Sequence, residues 1–499
     1  MAKRPNRNIS PALKAQLAQA SAMMKQRRFS AALPALVTLR QQLPRDPQLL
    51  WMLGACNAEL GRHAEAIEAY GAATKADPNH PDLRMSYAFA LQRGGEYERA
   101  LPELERVLYK RPNDFAAKRM RISVLMDLAR WEKAENYVDQ MRASPGFTAL
   151  SAADRAIFAI AAARLAPDRR TPQDAIDELT PLAEKSSLTP AARVTINWHL
   201  GRLHEAAKQY DDAFQCYKRS KETSKPGWDP DEHASRVDRL IECWSAGCDI
   251  PFAERDGSGL IFILGMMRSG TSLTEQMLSQ LDHIHPGGEM NAVSRQVAVV
   301  DPVPVGHFRP LPFTRANYTK SVIEKMSKEA WPYFENVSRT GMVTDKQPYN
   351  YYYVPLIARM FPGCTIVHCQ RDPQDTCLSN YFQSFSRPHP HTHDLNWLGR
   401  YFTDYQRMMA AWHDLPDIKI IDMPYEKLVA DPKAMLIPVL DRTGLEWDDS
   451  ILDFHSSNRT VRTSSRDQVR RPLYRSSVKK HENYAAHLGP LRVGLGIEA

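Results

Sequence analysis

Residues 260–273 read LIFILGMMRSGTSL, and this stretch decides how the rest of the 499-residue chain is interpreted. Five consecutive apolar residues, Leu260–Leu264, predict a buried parallel strand. Gly265 opens a tight turn, and Ser269, Gly270, Thr271 and Ser272 begin a helix that the following LTEQMLSQL spacing continues. A strand, a turn and a helix N-terminus make an anion site. The N–H groups of the first helical turn have no intrahelical partner and sit at the positive end of the helix dipole. Gly270 lets the backbone come close, Thr271 and Ser272 add hydroxyl donors, and Arg268 adds a fixed positive charge. The plainer reading is a strand-to-helix turn capped by Ser269.

The nucleotide triphosphate loop has a different signature, Gly-Lys-Ser/Thr after a four-residue gap. Here Arg268 precedes the glycine and no lysine follows it. Length predicts two or more domains, since one core rarely grows past about 250 to 300 residues. A net charge of +7 favours an acidic partner without naming one. The seven cysteines are odd in number and lack paired spacing, which predicts reduced thiols in a cytoplasmic setting. The basic N-terminus MAKRPNRNISPALKAQ has no signal-peptide apolar run, and no 18-residue apolar stretch occurs. Export by that route and insertion in a membrane are therefore not expected.

The N-terminal half is a repeat array. A shift of 34 residues superposes Pro44, Pro78 and Pro112; Gly61 and Gly95; His63, Tyr97 and Trp131; and Ala32, Ala66, Ala100 and Ala134. That period, with small residues at the close helix contact and proline at the repeat end, is the tetratricopeptide pattern. Its best copy, 47–80, carries Leu53, Gly54, Gly61, Ala66, Tyr70, Ala73 and Pro78. Weaker copies surround Ala175 and Leu179, and then Leu200, Gly201, Ala213 and Tyr217. We expect about six helix pairs over 10–228, stacked into a helical solenoid that holds a peptide or protein, or else packs only as a collar. A connecting helix and linker follow at 229–257, a catalytic domain at 258–485 and a tail at 486–499.

The second half reads as α/β. Apolar runs at 364–369 and 418–422 alternate with helical stretches, which predicts a P-loop-like parallel sheet with ligand loops at the strand C-termini. Charged residues stand at those ends: Glu289 after Gly287 and Gly288, Lys346 in TDKQP, and Arg371 with Ser379 eight residues on. Each has a plain reading, as a helix cap, a solvated lysine and a local Arg371–Asp372 ion pair. The histidines at 389, 391 and 393 read as surface in a proline-rich loop rather than as metal ligands. Between Arg459 and Lys480, eight basic residues face one acidic residue, Asp467, which reads as an anion clamp more readily than a solvated face. No nucleic-acid motif accompanies it.

Taken together, the order Arg268-Ser-Gly-Thr-Ser, Gly288-Glu289, Lys346, Arg371 with Ser379, and Tyr425 in PYEKL resembles the PAPS-dependent sulfotransferases. It is most similar to the protein-tyrosine sulfotransferase branch and its bacterial relatives with tetratricopeptide repeats in front. The late segment SRDQVRRPLYRSSVKK is similar to the family's Ser-x-x-Gln-Val-x-(Lys/Arg)-Pro segment, which folds back over the nucleotide. The resemblance implies transfer of a sulfuryl group from 3′-phosphoadenosine 5′-phosphosulfate (PAPS), without a metal, to a hydroxyl acceptor.

By the same resemblance, Arg268, Ser269, Gly270, Thr271 and Ser272 hold the 5′-phosphosulfate, and Arg371 and Ser379 hold the 3′-phosphate. Tyr425, Gln468, Val469, Arg471, Pro472, Tyr474 and Lys480 close over the nucleotide. Glu289 is the implied base, with Lys346 and Ser465 stabilising charge on the bridging oxygen and sulfonate. The chain departs from the family at Met267, usually proline; at Gln383, an arginine in animal relatives; and at His481, usually tryptophan. Tyrosine in a protein or peptide, held by the repeats, is the expected acceptor. A small-molecule or glycan hydroxyl and an inactive nucleotide-binding scaffold are the alternatives. Neither nucleic acid nor membrane is an expected partner, and a homodimer is one option for the oligomeric state.

Overall fold

A computed structural model of the protein describes residues 10–497 apart from 27, 61, 129, 145, 148, 152–153, 156–157, 160–171, 186–187, 224–225, 246–249, 302–310, 312–313, 386–388, 457–472 and 474–476. Its contacts divide the chain into two compact units, 1–192 and 193–499.

In the first unit the 34-residue period is visible in the helix starts themselves. Helices Phe29–Gln42, His63–Ala76, Tyr97–Lys110 and Trp131–Arg142 begin one period apart. Their partners Pro47–Glu59, Pro81–Gly94 and Phe115–Asp127 do the same, and Pro11–Lys25 precedes them. Asp46 and Asp114 cap their helices by accepting from Leu49 and Ala117 N–H, and proline stands at the first turn after Asp46 and His80, where a missing N–H is harmless. Ala32, Ala66, Ala100 and Ala134 are all essentially inaccessible, as close helix packing requires. A Cβ on Gly54 would lie 2.7 Å from the Tyr70 ring, so that position admits only glycine.

The second unit begins inside the helix Pro190–Ala206, which together with Tyr210–Glu222 repeats the pattern. A Cβ on Gly201 would lie 2.9 Å from the Tyr217 ring, as at the Gly54–Tyr70 contact. The expected boundary at 228 thus differs from the division that contacts make, because this last repeat pair packs with the α/β core. Ala213, Phe214 and Tyr217 join its main hydrophobic cluster, and Trp198 Nε1 donates to the Phe382 carbonyl at 2.7 Å. The connecting helix is Pro230–Ser245, close to expectation.

The core is a five-stranded, all-parallel sheet: β1 Leu260–Leu264, β2 Ile284–Pro286, β3 Met342–Asp345, β4 Thr365–Gln370 and β5 Ile420–Pro424, in the order β2-β3-β1-β4-β5. Leu260, Phe262 and Leu264 join one hydrophobic cluster and Ile261 and Ile263 another, so β1 is buried on both faces and reads as a continuous apolar run. The 486–499 segment, expected as a tail, carries the helix Gly489–Leu495. This helix packs on Leu395–His413, with Gly399 against Gly494.

Candidate functional site

The chain leaves β1 between β3 and β4, the central position where ligand crevices form at strand C-termini. Gly265 (φ +143°) turns so tightly that a Cβ there would lie 2.2 Å from the Cys369 carbonyl. Arg268 adopts φ +72°, a conformation worth about 1–3 kcal/mol of strain that recurs at ligand sites. Gly270 (φ +106°) caps the helix Thr271–Leu278, with Tyr425 packed where its Cβ would be. The Ser269 cap is therefore corrected: Ser269 Oγ is buried and has no hydrogen-bond partner among the described residues. The loop thus presents first-turn N–H groups and an unused hydroxyl to one place, as an anion needs.

Three distant residues meet behind this loop. Arg268 Nε donates to Ser379 Oγ at 3.0 Å, and Arg371 Nη1 donates to the Arg268 carbonyl at 3.2 Å. Arg371 also donates to the Ser477 carbonyl, lies 5.0 Å over the Tyr425 ring, and leaves Nε without a partner among the described residues. Its acidic neighbour is Asp375 at 3.7 Å; Asp372 instead caps the helix Pro373–Tyr381. The local Arg371–Asp372 pair is thereby corrected. Buried donors without acceptors are costly unless a ligand completes them, and these flank one cradle.

On the other side of β1, the turn after β2 places Glu289 against Lys346 at the end of β3, with Nζ to Oε1 at 3.0 Å. Lys346 is fully buried while Glu289 is 45% exposed, so the solvated-lysine reading is corrected: the ammonium is inside and the carboxylate faces out. The turn is held by residues the sequence did not advertise. Buried Glu275 accepts from Gly288 N–H at 3.0 Å and from Thr344 Oγ1 at 2.7 Å. Asp345 accepts from Met290 N–H and Asn350 Nδ2, and burial pushes its carboxyl up to about 8. The strand MVTD, two apolar residues followed by two polar ones, carries no alternation that could be read from the sequence.

The C-terminal return is anchored by Asp375. Its carboxylate accepts from Lys479 N–H at 2.7 Å and from His481 N–H at 2.8 Å, and its Oδ1 lies 3.0 Å from His481 Nδ1. Lys480, expected over a nucleotide, pairs with Glu205 of the last repeat pair. Beside it, Lys221 Nζ donates to the Gln383 carbonyl at 2.9 Å, and burial lowers that lysine to about 7. Ser465, Gln468, Val469, Arg471, Pro472 and Tyr474 lie outside the described residues. The histidine triplet is not plain surface: His391 is buried and stacks on Tyr401 at 3.8 Å, and His389 Nδ1 lies 2.8 Å from Tyr349 OH. Both rings serve packing that a proline-rich loop does not predict.

Residues 261–449 match the sulfotransferase family, and residues 17–81 and 57–121 match tetratricopeptide repeat families. An uncharacterized protein of Aquifex aeolicus (strain VF5) is 30% identical over 336 residues, which is 65% of this chain and 44% of that protein. The chain therefore spans less than half the length of this curated relative. Among solved structures, a tetratricopeptide repeat protein from Parabacteroides merdae ATCC 43184 is 15% identical over 46% of this chain and 86% of its own, with a TM-score of 0.36. PilW, a type IV pilus biogenesis factor, is 13% identical over 43% and 94%, with a TM-score of 0.34. The chain thus carries a domain that matches the sulfotransferase family behind tetratricopeptide repeats.

Proposed function

We propose that this chain, a sulfotransferase-family domain joined to tetratricopeptide repeats, moves the sulfuryl group of PAPS onto a hydroxyl, with tyrosine in a protein or peptide as the acceptor. The observation that carries the proposal is the convergence of Arg268, Ser379 and Arg371 on one loop whose Ser269 hydroxyl and Arg371 Nε await an acceptor. Those groups fit a polyanionic donor: 268–272 for the phosphosulfate, Arg371 and Ser379 for the 3′-phosphate, and Tyr425 and Lys480 beside them.

In the proposed step the acceptor oxygen bonds to sulfur as the bond from sulfur to the bridging phosphate oxygen breaks. The acceptor proton goes to the Glu289 carboxylate, and 3′-phosphoadenosine 5′-phosphate leaves. Lys346, paired with Glu289 at rest, then turns its charge to the bridging oxygen, with Arg268 beside the sulfonate. Such chemistry leaves the protein mainly positioning and charge stabilisation to supply. A tyrosine hydroxyl, with a pKa near about 10, loses its proton far more readily than an aliphatic alcohol, which suits a single carboxylate base.

Purified protein incubated with ³⁵S-labelled PAPS and a tyrosine-peptide library tests this, with Glu289→Gln as control. Labelled tyrosine is expected, and label on glycan or small hydroxyls instead would reassign the acceptor. Absence of both transfer and binding of 3′-phosphoadenosine 5′-phosphate would overturn the assignment.

A further inference from the structure

A second constellation lies on the sheet face opposite the helix Thr271–Leu278, and the proposed transfer does not use it. His368 of β4 and Asp422 of β5 are register partners. His413, the last residue of the helix Leu395–His413, completes a trio whose donor atoms all lie within 4.8 Å of one another. Asp422 Oδ1 is 3.0 Å from His368 Nδ1 and 3.2 Å from His413 Nε2. The amide of Gln370 approaches the same centre, 2.7 Å from Asp422 Oδ1 and 3.1 Å from His368 Nδ1. All four residues line one cavity of about 320 Å³, whose wall also includes Ser269 and Arg371.

We propose that His368, His413 and Asp422 bind one zinc-type divalent cation, with Gln370 beside the fourth position. Donors about 2.0–2.1 Å from a tetrahedral ion are separated by about 3.3 Å, close to the two distances that converge on Asp422. Two imidazoles and one carboxylate favour zinc and its neighbours over calcium or magnesium, which prefer oxygen. The outer partners suit ligation too. His368 Nε2 is hydrogen-bonded to Tyr405 OH, and a proton kept there leaves the Nδ1 lone pair for a cation. A neutral imidazole and an ionised carboxylate are the forms that ligate.

The other carboxylate–histidine group, Asp372, Asp375 and His481, is committed to backbone N–H groups. Asp375 already accepts the Lys479 and His481 N–H groups, and Asp372 accepts the Asp375 N–H. The cation at His368 would tie the edge strand β5 to β4 and to the helix Leu395–His413, leaving its open position to water or an oxygen ligand in the cavity. The site shares its cavity wall with Ser269 and Arg371 of the proposed donor cradle, but zinc binding there can be measured whether or not the chain transfers sulfuryl groups.

Full-length protein dialysed against EDTA and then titrated with ZnCl₂ in competition with a chromogenic chelator tests the proposal. One equivalent should bind in the wild type. His413→Asn and Asp422→Asn should each weaken binding at least tenfold, and both side chains are exposed enough for the variants to fold, as thermal transitions will check. His80→Ala, which removes a surface histidine 3.8 Å from Asp82, should change nothing. Co²⁺ should give the intense visible bands of a four-coordinate ion, lost in both site variants. No saturable zinc binding, or one equivalent that survives both substitutions, would overturn the proposal.

Discussion

Lys346→Met and Glu289→Gln break the same 3.0 Å ion pair yet should differ in their cost to stability, because the partners are buried so unequally. Taking an ammonium out of water costs several kcal/mol even after relaxation. At 3.0 Å and an effective dielectric near 20, the pair returns roughly 5 kcal/mol of attraction. The two nearly cancel, so replacing Lys346 with an apolar side chain of similar length should leave stability within about 1 kcal/mol of wild type. Glu289→Gln is different, since it leaves the buried charge and removes its counter-charge. Loss of a partner in a buried pair costs about 3–5 kcal/mol; with Glu289 45% exposed and partly screened, we expect about 1–3 kcal/mol. The double variant should recover most of that loss.

Thermal unfolding of the full chain measures this, and the transition of the second unit is the one that 3′-phosphoadenosine 5′-phosphate raises. Both single variants should lose roughly 10² or more in turnover. If Lys346→Met proves the more destabilising of the two, the reasoning about unequal burial is wrong. If either variant retains full turnover, its proposed role in transfer is wrong.

Three further outcomes are expected. Gly270→Ala forces a side chain to φ +106° and to 2.9 Å from Tyr425 Cδ2; denaturant titration should show a loss of about 1–3 kcal/mol, with product binding weakened more than tenfold by calorimetry. Asp345, raised from 3.8 to about 8 by burial, contributes stability that is fully present below pH 3.8 and lost as pH climbs through 8. Asp345→Asn should therefore melt with a flatter pH profile, gaining on wild type by roughly 2–3 kcal/mol between pH 6 and 8, and parallel profiles would contradict this. Glu205→Gln frees Lys480, so calorimetry should find product bound more tightly, whereas Lys480→Ala should weaken it about tenfold and change stability by less than about 1 kcal/mol.

What the sequence determined by itself is whatever neighbouring residues dictate. The 34-residue spacing produces helices that start one period apart, because each pair presents the same small and large residues to the next. The run 260–264 followed by glycine and Thr271 specifies strand, turn and helix, because continuous apolarity, positive φ and an open first turn are local properties.

Tertiary structure alone decided the rest. Arg268 and Ser379 are 111 residues apart, Glu289 and Lys346 are 57 apart, and Glu205 and Lys480 are 275 apart. Whether such groups pair depends on strand order, which the sequence expectation did not contain; β2 and β3, at three and four residues, carry too little pattern to be read. Nor could spacing tell that the last repeat pair packs with the α/β core. Burial decides charge in the same way: nothing in TDKQP says that Asp345 is raised far above the usual carboxylate range while Lys346 beside it holds an outward-facing carboxylate, because desolvation belongs to the assembled surroundings.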